Sequence, residues 1–220
     1  MILSWDILML TSIALADVVA DVLGITRESA QLHLKMIRAA GKITFKGYGR
    51  AAAAMTPLDA SRLVIASAGS IFAKDSIDVL ARFAKLVPIS KRTRHTATLE
   101  ESLAQRIAEL PMDIPHLERV SPSPEWQQRF GSRRLAETAL QLLDPIPAYS
   151  ETTNQLPRYA ILRWLDHRGH SNVLVFGPEW ESLDRGTEIS DLLDHYSNHG
   201  LFQVRIVRRQ ALVDIAKALK

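Results

Sequence analysis

Hydrophobic residues recur every three or four positions through most of the first 110 residues, whereas the last third carries alternating or short unbroken apolar runs. The first pattern predicts amphipathic helices and the second predicts strands. The stretch 16–50, ADVVADVLGITRESAQLHLKMIRAAGKITFKGYGR, organises the front of the chain. A first helix is predicted over 16–23, with Val18, Val19 and Val22 or Leu23 inward. Gly24 supplies the left-handed residue that ends a helix sharply. Ile25 fills the turn, and Thr26 is placed to cap a second helix over 27–40. Ala30, Leu34 and Ile37 form the inward stripe of that helix, and Gly41 closes it. Residues 42–50 then alternate and turn at Gly47 and Gly49, which predicts a two-stranded hairpin wing. A helix over 3–15, carrying Trp5, Ile7, Leu8 and Leu10, is expected to support this unit from behind.

Downstream, Thr56 and Pro57 predict a helix start, with Asp59 in the first turn where an acid is favoured, and the helix reaches about residue 68. A further amphipathic helix is predicted over 75–86, stopped by Pro88, followed by a basic linker over 89–98 with Lys91, Arg92, Arg94 and His95. Thr98-Leu99-Glu100-Glu101 reads as a capping box opening a helix to about 110 on Leu99, Leu103 and Ile107. Residues 111–124 are expected to be irregular, with a short strand at 116–120. A helix over 132–143 places Leu135, Ala139 and Leu142 inward, and a Pro-rich connection follows over 144–157. Strands are predicted at 159–165 and 172–176 around a turn at 166–170, then a helix at 188–198, a strand at 201–207 and a helix at 211–219.

The polar side of the second helix changes the picture. Arg27, Ser29, Gln31, His33 and Lys35 are expected to point away from the Ala30/Leu34/Ile37 stripe, and their types suit phosphates and base edges. From Arg27 to Arg50 there are six Lys or Arg against one acid, Glu28. Lys42, Lys46, Tyr48 and Arg50 extend the candidate DNA-contacting set into the wing. The run GITRESAQLHLKMIRAAGKI resembles the recognition half of winged helix-turn-helix transcription regulators. The continuation KGYGRAAAAMTPLDASRLVIASAGS is similar to a narrower group of small regulators from temperate phages, prophages and integrative elements of bacteria. The resemblance implies a sequence-specific DNA-binding regulator that acts on double-stranded DNA, commonly as a homodimer. Leu32 departs from it, standing where such proteins often carry a polar base-contacting residue. Non-regulatory factors, such as a replication initiator, an excision accessory factor or a DNA-packaging recognition subunit, would share the same unit.

The expected architecture is α+β, mainly α: a winged helix-turn-helix domain with supporting helices over 1–90, a linker and helix over 91–124, and a small α+β domain over 125–220 available to a protein partner or to oligomerisation. Charge supports the division. Residues 1–95 hold 13 Lys or Arg and 7 Asp or Glu, and the remainder hold 14 and 17, so a net of +6 precedes a net of −3. A basic front half suits a polyanionic partner. The 220 residues contain no Cys, which removes disulfides and thiolate metal sites and fits a reducing cytoplasm. No apolar run reaches membrane-spanning length, and the opening MILSWDILML lacks a basic region before it, so it reads as a core helix and not a signal peptide. His167, His170, His195 and His199 have metal-like spacing, but the first two fall in a polar turn and the last beside a helix-ending Gly, so no metal or other cofactor is expected. Neither a phosphate-binding loop nor a nucleophile elbow is present, so no catalytic residues are assigned and the chain is not expected to be an enzyme.

Overall fold

A computed structural model describes residues 10–47, 52–89, 97–117, 138–145, 158–165, 171–177 and 202–220. Helix α1, Ser12–Leu23, starts at Thr11, whose hydroxyl accepts the Ala14 amide at 3.3 Å. It ends at Gly24, with φ 68° and its amide bonded to the Ala20 carbonyl. Helix α2, Arg27–Ala39, opens at Thr26, whose hydroxyl accepts the Ser29 amide at 3.2 Å. Ala16, Val19 and Ala20 of α1 and Ala30, Leu34 and Ile37 of α2 are all buried. The small Ala20 lets the two helices approach closely where the turn begins. The separate supporting helix expected up to residue 15 is not what forms. Ser12 to Leu15 belong to α1, because Thr11 holds an extended backbone and caps it; residues 1–9 lie outside the described set.

Helix α3, Pro57–Gly69, has a complete capping box: the Thr56 hydroxyl accepts the Asp59 amide and the Asp59 carboxylate accepts the Thr56 amide at 2.9 Å. Asp59 is 2% exposed and also accepts the Thr44 amide at 2.8 Å. That contact explains why 42–47 contain no strand, against the expected wing: α3 side chains, and not a second strand, take up this backbone. Arg62 donates to the Lys42 carbonyl at 3.1 Å, and Ile43 is buried between these two anchors. The rest of the expected wing, 48–50, lies outside the described residues.

The single helix expected over 75–86 is a 3-10 turn, Ala73–Asp75, leading into α4, Ser76–Phe83. Pro88 does not stop a helix. It sits in the two-residue strand β1, Val87–Pro88, at the edge of the sheet, where a missing amide is tolerated. Glu101 reaches back to accept both the amide and the hydroxyl of Thr98, opening α5, Leu99–Leu117. Leu99, Leu103 and Ile107 are fully buried, as their spacing predicts. The helix continues through Pro111 and Pro115, where irregular chain was expected. A proline inside a helix forgoes one amide bond and crowds the carbonyl four residues back, a cost of about 3 kcal/mol, but its φ remains helical and the chain here continues past both prolines.

Strands β2 (Thr138–Pro145), β3 (Tyr159–Leu165), β4 (Ser171–Gly177) and β5 (Phe202–Arg208) complete an antiparallel sheet of order β1-β4-β3-β2-β5. Residues 138–143, expected as helix, form the strand β2. Ala139, Leu140, Gln141, Leu142 and Leu143 are all buried, so both faces of this strand are covered. Such a strand lacks the strict apolar–polar alternation of a half-buried one, and the spacing of its apolar residues here also suits a helix. Helix α6, Arg209–Ala218, follows β5 directly and packs on α1 and α5. One hydrophobic core therefore joins Leu15 and Val19 to Leu63, Leu103, Leu140 and Ile215, across the boundaries drawn from composition. The fold is α+β, with six helices and a five-stranded sheet among the described residues. The helix expected at 188–198, the turn at 166–170, the connection at 146–157 and the linker at 90–96 lie outside them.

Candidate nucleic-acid interface

Helix α2 divides cleanly into two faces. Arg27, Glu28, Gln31, Leu32 and Lys35 are exposed, while Ala30, His33, Leu34 and Ile37 are buried. Those buried positions follow the i, i+3, i+4, i+7 stripe of an inward helix face. His33 is therefore a core residue and not one of the outward set expected from the sequence. It is 1% exposed, with Nδ1 2.7 Å from the Ser76 hydroxyl. Ser76 gives its single hydrogen to the Ala73 carbonyl at 2.5 Å. The proton between His33 and Ser76 must then come from the imidazole, which assigns it to Nδ1. Burial pushes the His33 pKa below its ordinary value, so the ring is neutral. Ser29 is half-buried beside its cap.

Two of the expected readers are held by acids that pattern reasoning did not assign to the site. Gln31 donates to Asp17 at 2.9 Å, and Arg27 lies 3.5 Å from Asp21, both on α1. The signal was present in the i, i+4 spacing of the two acids, but only the packing of α1 against α2 aligns them with Gln31 and Arg27. Asp21 and Arg27 are largely exposed, so this pair is screened by solvent and is readily exchanged for another partner. Leu32, 53% exposed, and Ile13, 49% exposed, share a shallow groove with Glu28, Lys35 and Arg38.

Lys42 and Lys46 are exposed on the segment that follows α2. The Arg38 guanidinium stacks 4.8 Å over the Phe45 ring, which fastens this segment to the end of α2. Tyr48 and Arg50 lie outside the described residues. The position of Lys42 is set from below. Arg62 bridges the Lys42 carbonyl and Glu100, donating to the carboxylate at 2.8 Å, and Lys85 donates to the same carboxylate at 2.8 Å. Burial alone would raise the Glu100 pKa, but these two cations outweigh it and hold the group below its ordinary value. A buried carboxylate thus fixes the backbone from which an exposed lysine projects.

The chain matches no protein-family model, no curated protein and no solved structure. No group of three His, Cys, Asp or Glu among the described residues could hold a metal ion; His167, His170, His195 and His199 lie outside them. No helix among the described residues is long and apolar enough to cross a membrane.

Proposed function

We propose that the α1–α2 unit reads double-stranded DNA and that the protein is a sequence-specific transcription regulator. The observation that carries this reading is the disposition of α2. Its inward stripe is locked against α1 across a three-residue, glycine-started turn, while Arg27, Gln31 and Lys35 are exposed on the other side and Lys42 and Lys46 are exposed on the segment that follows. A helix held by its neighbour, with cations and an amide on its free face, has the shape and chemistry of a major-groove reader. The acids on α1 fit the same scheme. On approach to DNA, phosphates repel Asp17 and Asp21 and attract Arg27, so the pairs seen in the free protein exchange for contacts to the duplex.

The test is selection of DNA ligands from a random pool, followed by anisotropy titrations of the best site at several salt concentrations. Gln31→Ala is expected to cost about 1–3 kcal/mol at the selected site and to relax sequence preference. Lys46→Ala is expected to weaken all sequences alike and to lower the salt slope by roughly 0.9 per lost phosphate contact. Failure to enrich any sequence, or normal binding by both folded variants, would show that this face serves something other than DNA. Binding sites that overlap promoters in a genome-wide footprint are the result expected of a regulator.

A further inference from the structure

The two edges of the sheet differ. On one side β1 is only two residues long and contains Pro88, so it offers little to pair with. On the other, β5 is seven residues long and has no neighbour on its outer side among the described residues. A long open edge is a template for another strand. Val204 and Ile206, on one face of β5, are 39% and 51% exposed. Gln203 and Arg205, on the other face, line a groove with Arg82, Asp75, Asp78 and Asp144, beside the exposed Ile71 and Phe72. Asp144 is paired with Arg82 and Arg158, which leaves the groove's charge to Asp75 and Asp78 against the chain's own Arg205.

We infer that β5 pairs antiparallel with β5 of a second copy of this chain, joining two five-stranded sheets across a two-fold axis that passes beside Val204. The residue pattern selects this register. A two-fold axis perpendicular to the sheet keeps each face in phase, so only residues of one face can lie opposite each other. Centring on Arg205 sets two guanidinium groups against each other, and like charges directly opposite destabilise a pair. Centring on Ile206 sets Val204 against the partner's Arg208 and Arg205 against the partner's Val207. Centring on Gln203 carries Arg205 past the end of the partner's strand. Centring on Val204 sets Val204 on its own copy, Ile206 on the partner's Phe202 and Arg205 on the partner's Gln203.

That register also supplies charge complementarity. The partner's Arg205, opposite Gln203, enters the groove that Asp75 and Asp78 wall. The same approach covers Ile71 and Phe72, each 61% exposed in the single chain. Apolar contact on one face of the joined strands and an acid–guanidinium contact on the other favour a second copy as the occupant of this edge.

The absence of cysteine makes the register directly testable. In the full chain, sedimentation equilibrium over a dilution series should give a dimer. Val204→Lys should give a monomer of unchanged circular dichroism, since it buries a charge only in the pair. Directly opposite Cα atoms in an antiparallel pair lie about 4.5–5.5 Å apart, within disulfide reach. Val204→Cys should therefore cross-link to completion under mild oxidation. Ile206→Cys should not, because its own copy is four residues further along, about 13 Å away. The cross-linking result stands even if the Val204→Lys chain does not fold. A monomer at every concentration would overturn the proposal and leave the edge to a strand from a different protein. A dimer that survives Val204→Lys, or equal cross-linking of the two cysteine variants, would overturn it by placing the interface elsewhere.

Discussion

His33 separates two readings of the second helix, and its replacement by alanine distinguishes them. As an exposed DNA contact, its loss would weaken binding and leave stability alone. As a core residue, the reverse holds. The structure allows the second effect to be sized. His33→Ala removes a fully enclosed ring and the hydrogen bond from Nδ1 to Ser76. Buried large-to-small replacements cost about 2–5 kcal/mol. The hydrogen bond contributes about 1 kcal/mol of that, because Ser76 keeps its bond to Ala73 and loses only a donor to its free lone pair. The expected loss is about 3 kcal/mol, a large share of the roughly 5–15 kcal/mol that holds a domain together. Urea unfolding followed by circular dichroism measures it. The pH dependence follows from the same burial. The neutral ring is the folded form, and the unfolded chain takes up a proton near its ordinary value of about 6.5. The folded chain binds that proton less readily, so the stability due to His33 is fully present above about 6.5 and declines as pH falls below it. The alanine variant should lack this decline. DNA affinity per folded molecule should be unchanged. An unfolding midpoint equal to that of the parent, together with weakened DNA binding, would refute the core assignment.

Two further outcomes follow from the packing. Glu100→Gln should cost about 2 kcal/mol, mostly through Arg62, because Lys85 is exposed and its contribution is screened. The parent's advantage should be present above the ordinary carboxyl value of 4.5 and be lost as pH falls through the lower folded value, which denaturant midpoints across acid pH would show. Gly177→Ala should destabilise by about 1–3 kcal/mol in thermal or urea melts, since the added methyl would lie 2.7 Å from Tyr159 Cε1 on a fully buried ring; an unchanged melt would mean that the β4–β3 face is looser than it is here.

The front of the chain was legible because its signals are local. Gly24, Thr26, Thr56 with Pro57, and the Thr98–Glu101 pair act within three or four residues, so each fixed a helix end without knowledge of the rest. The Leu99, Leu103 and Ile107 stripe likewise showed its buried face by period alone. The strands expected at 159–165 and 172–176 from composition and a turn between them form at Tyr159–Leu165 and Ser171–Gly177. Two features of the candidate DNA face were misplaced for a common reason. His33 was assigned outward by its polarity, although its position falls on the inward stripe; only Ser76, 43 residues later, supplies the partner that makes burial of an imidazole tolerable. The segment after α2 has the alternation of a hairpin, but Asp59 and Arg62 of α3 take its backbone bonds first.

What tertiary structure decided is where long-range pairing replaces local preference. Residues 138–143 carry a good helical pattern, yet antiparallel partners on both sides, β3 and β5, make them an interior strand of the sheet. Pro88 reads as a helix stop and becomes a strand edge because β4 lies beside it. The break in charge near residue 95 suggested separate domains, but net charge describes the surface and not the core. Leu15, Leu103 and Ile215 lie in one hydrophobic cluster, because α6 returns to cover α1 and α5. Sequence by itself determined helix ends, faces and a basic surface, since those depend on neighbours a turn or two away. Which faces meet, and hence which polar residues are free to touch a partner, depended on other elements: His33 on Ser76 of α4, Gln31 and Arg27 on the acids of α1, and the far side of α1 on α6.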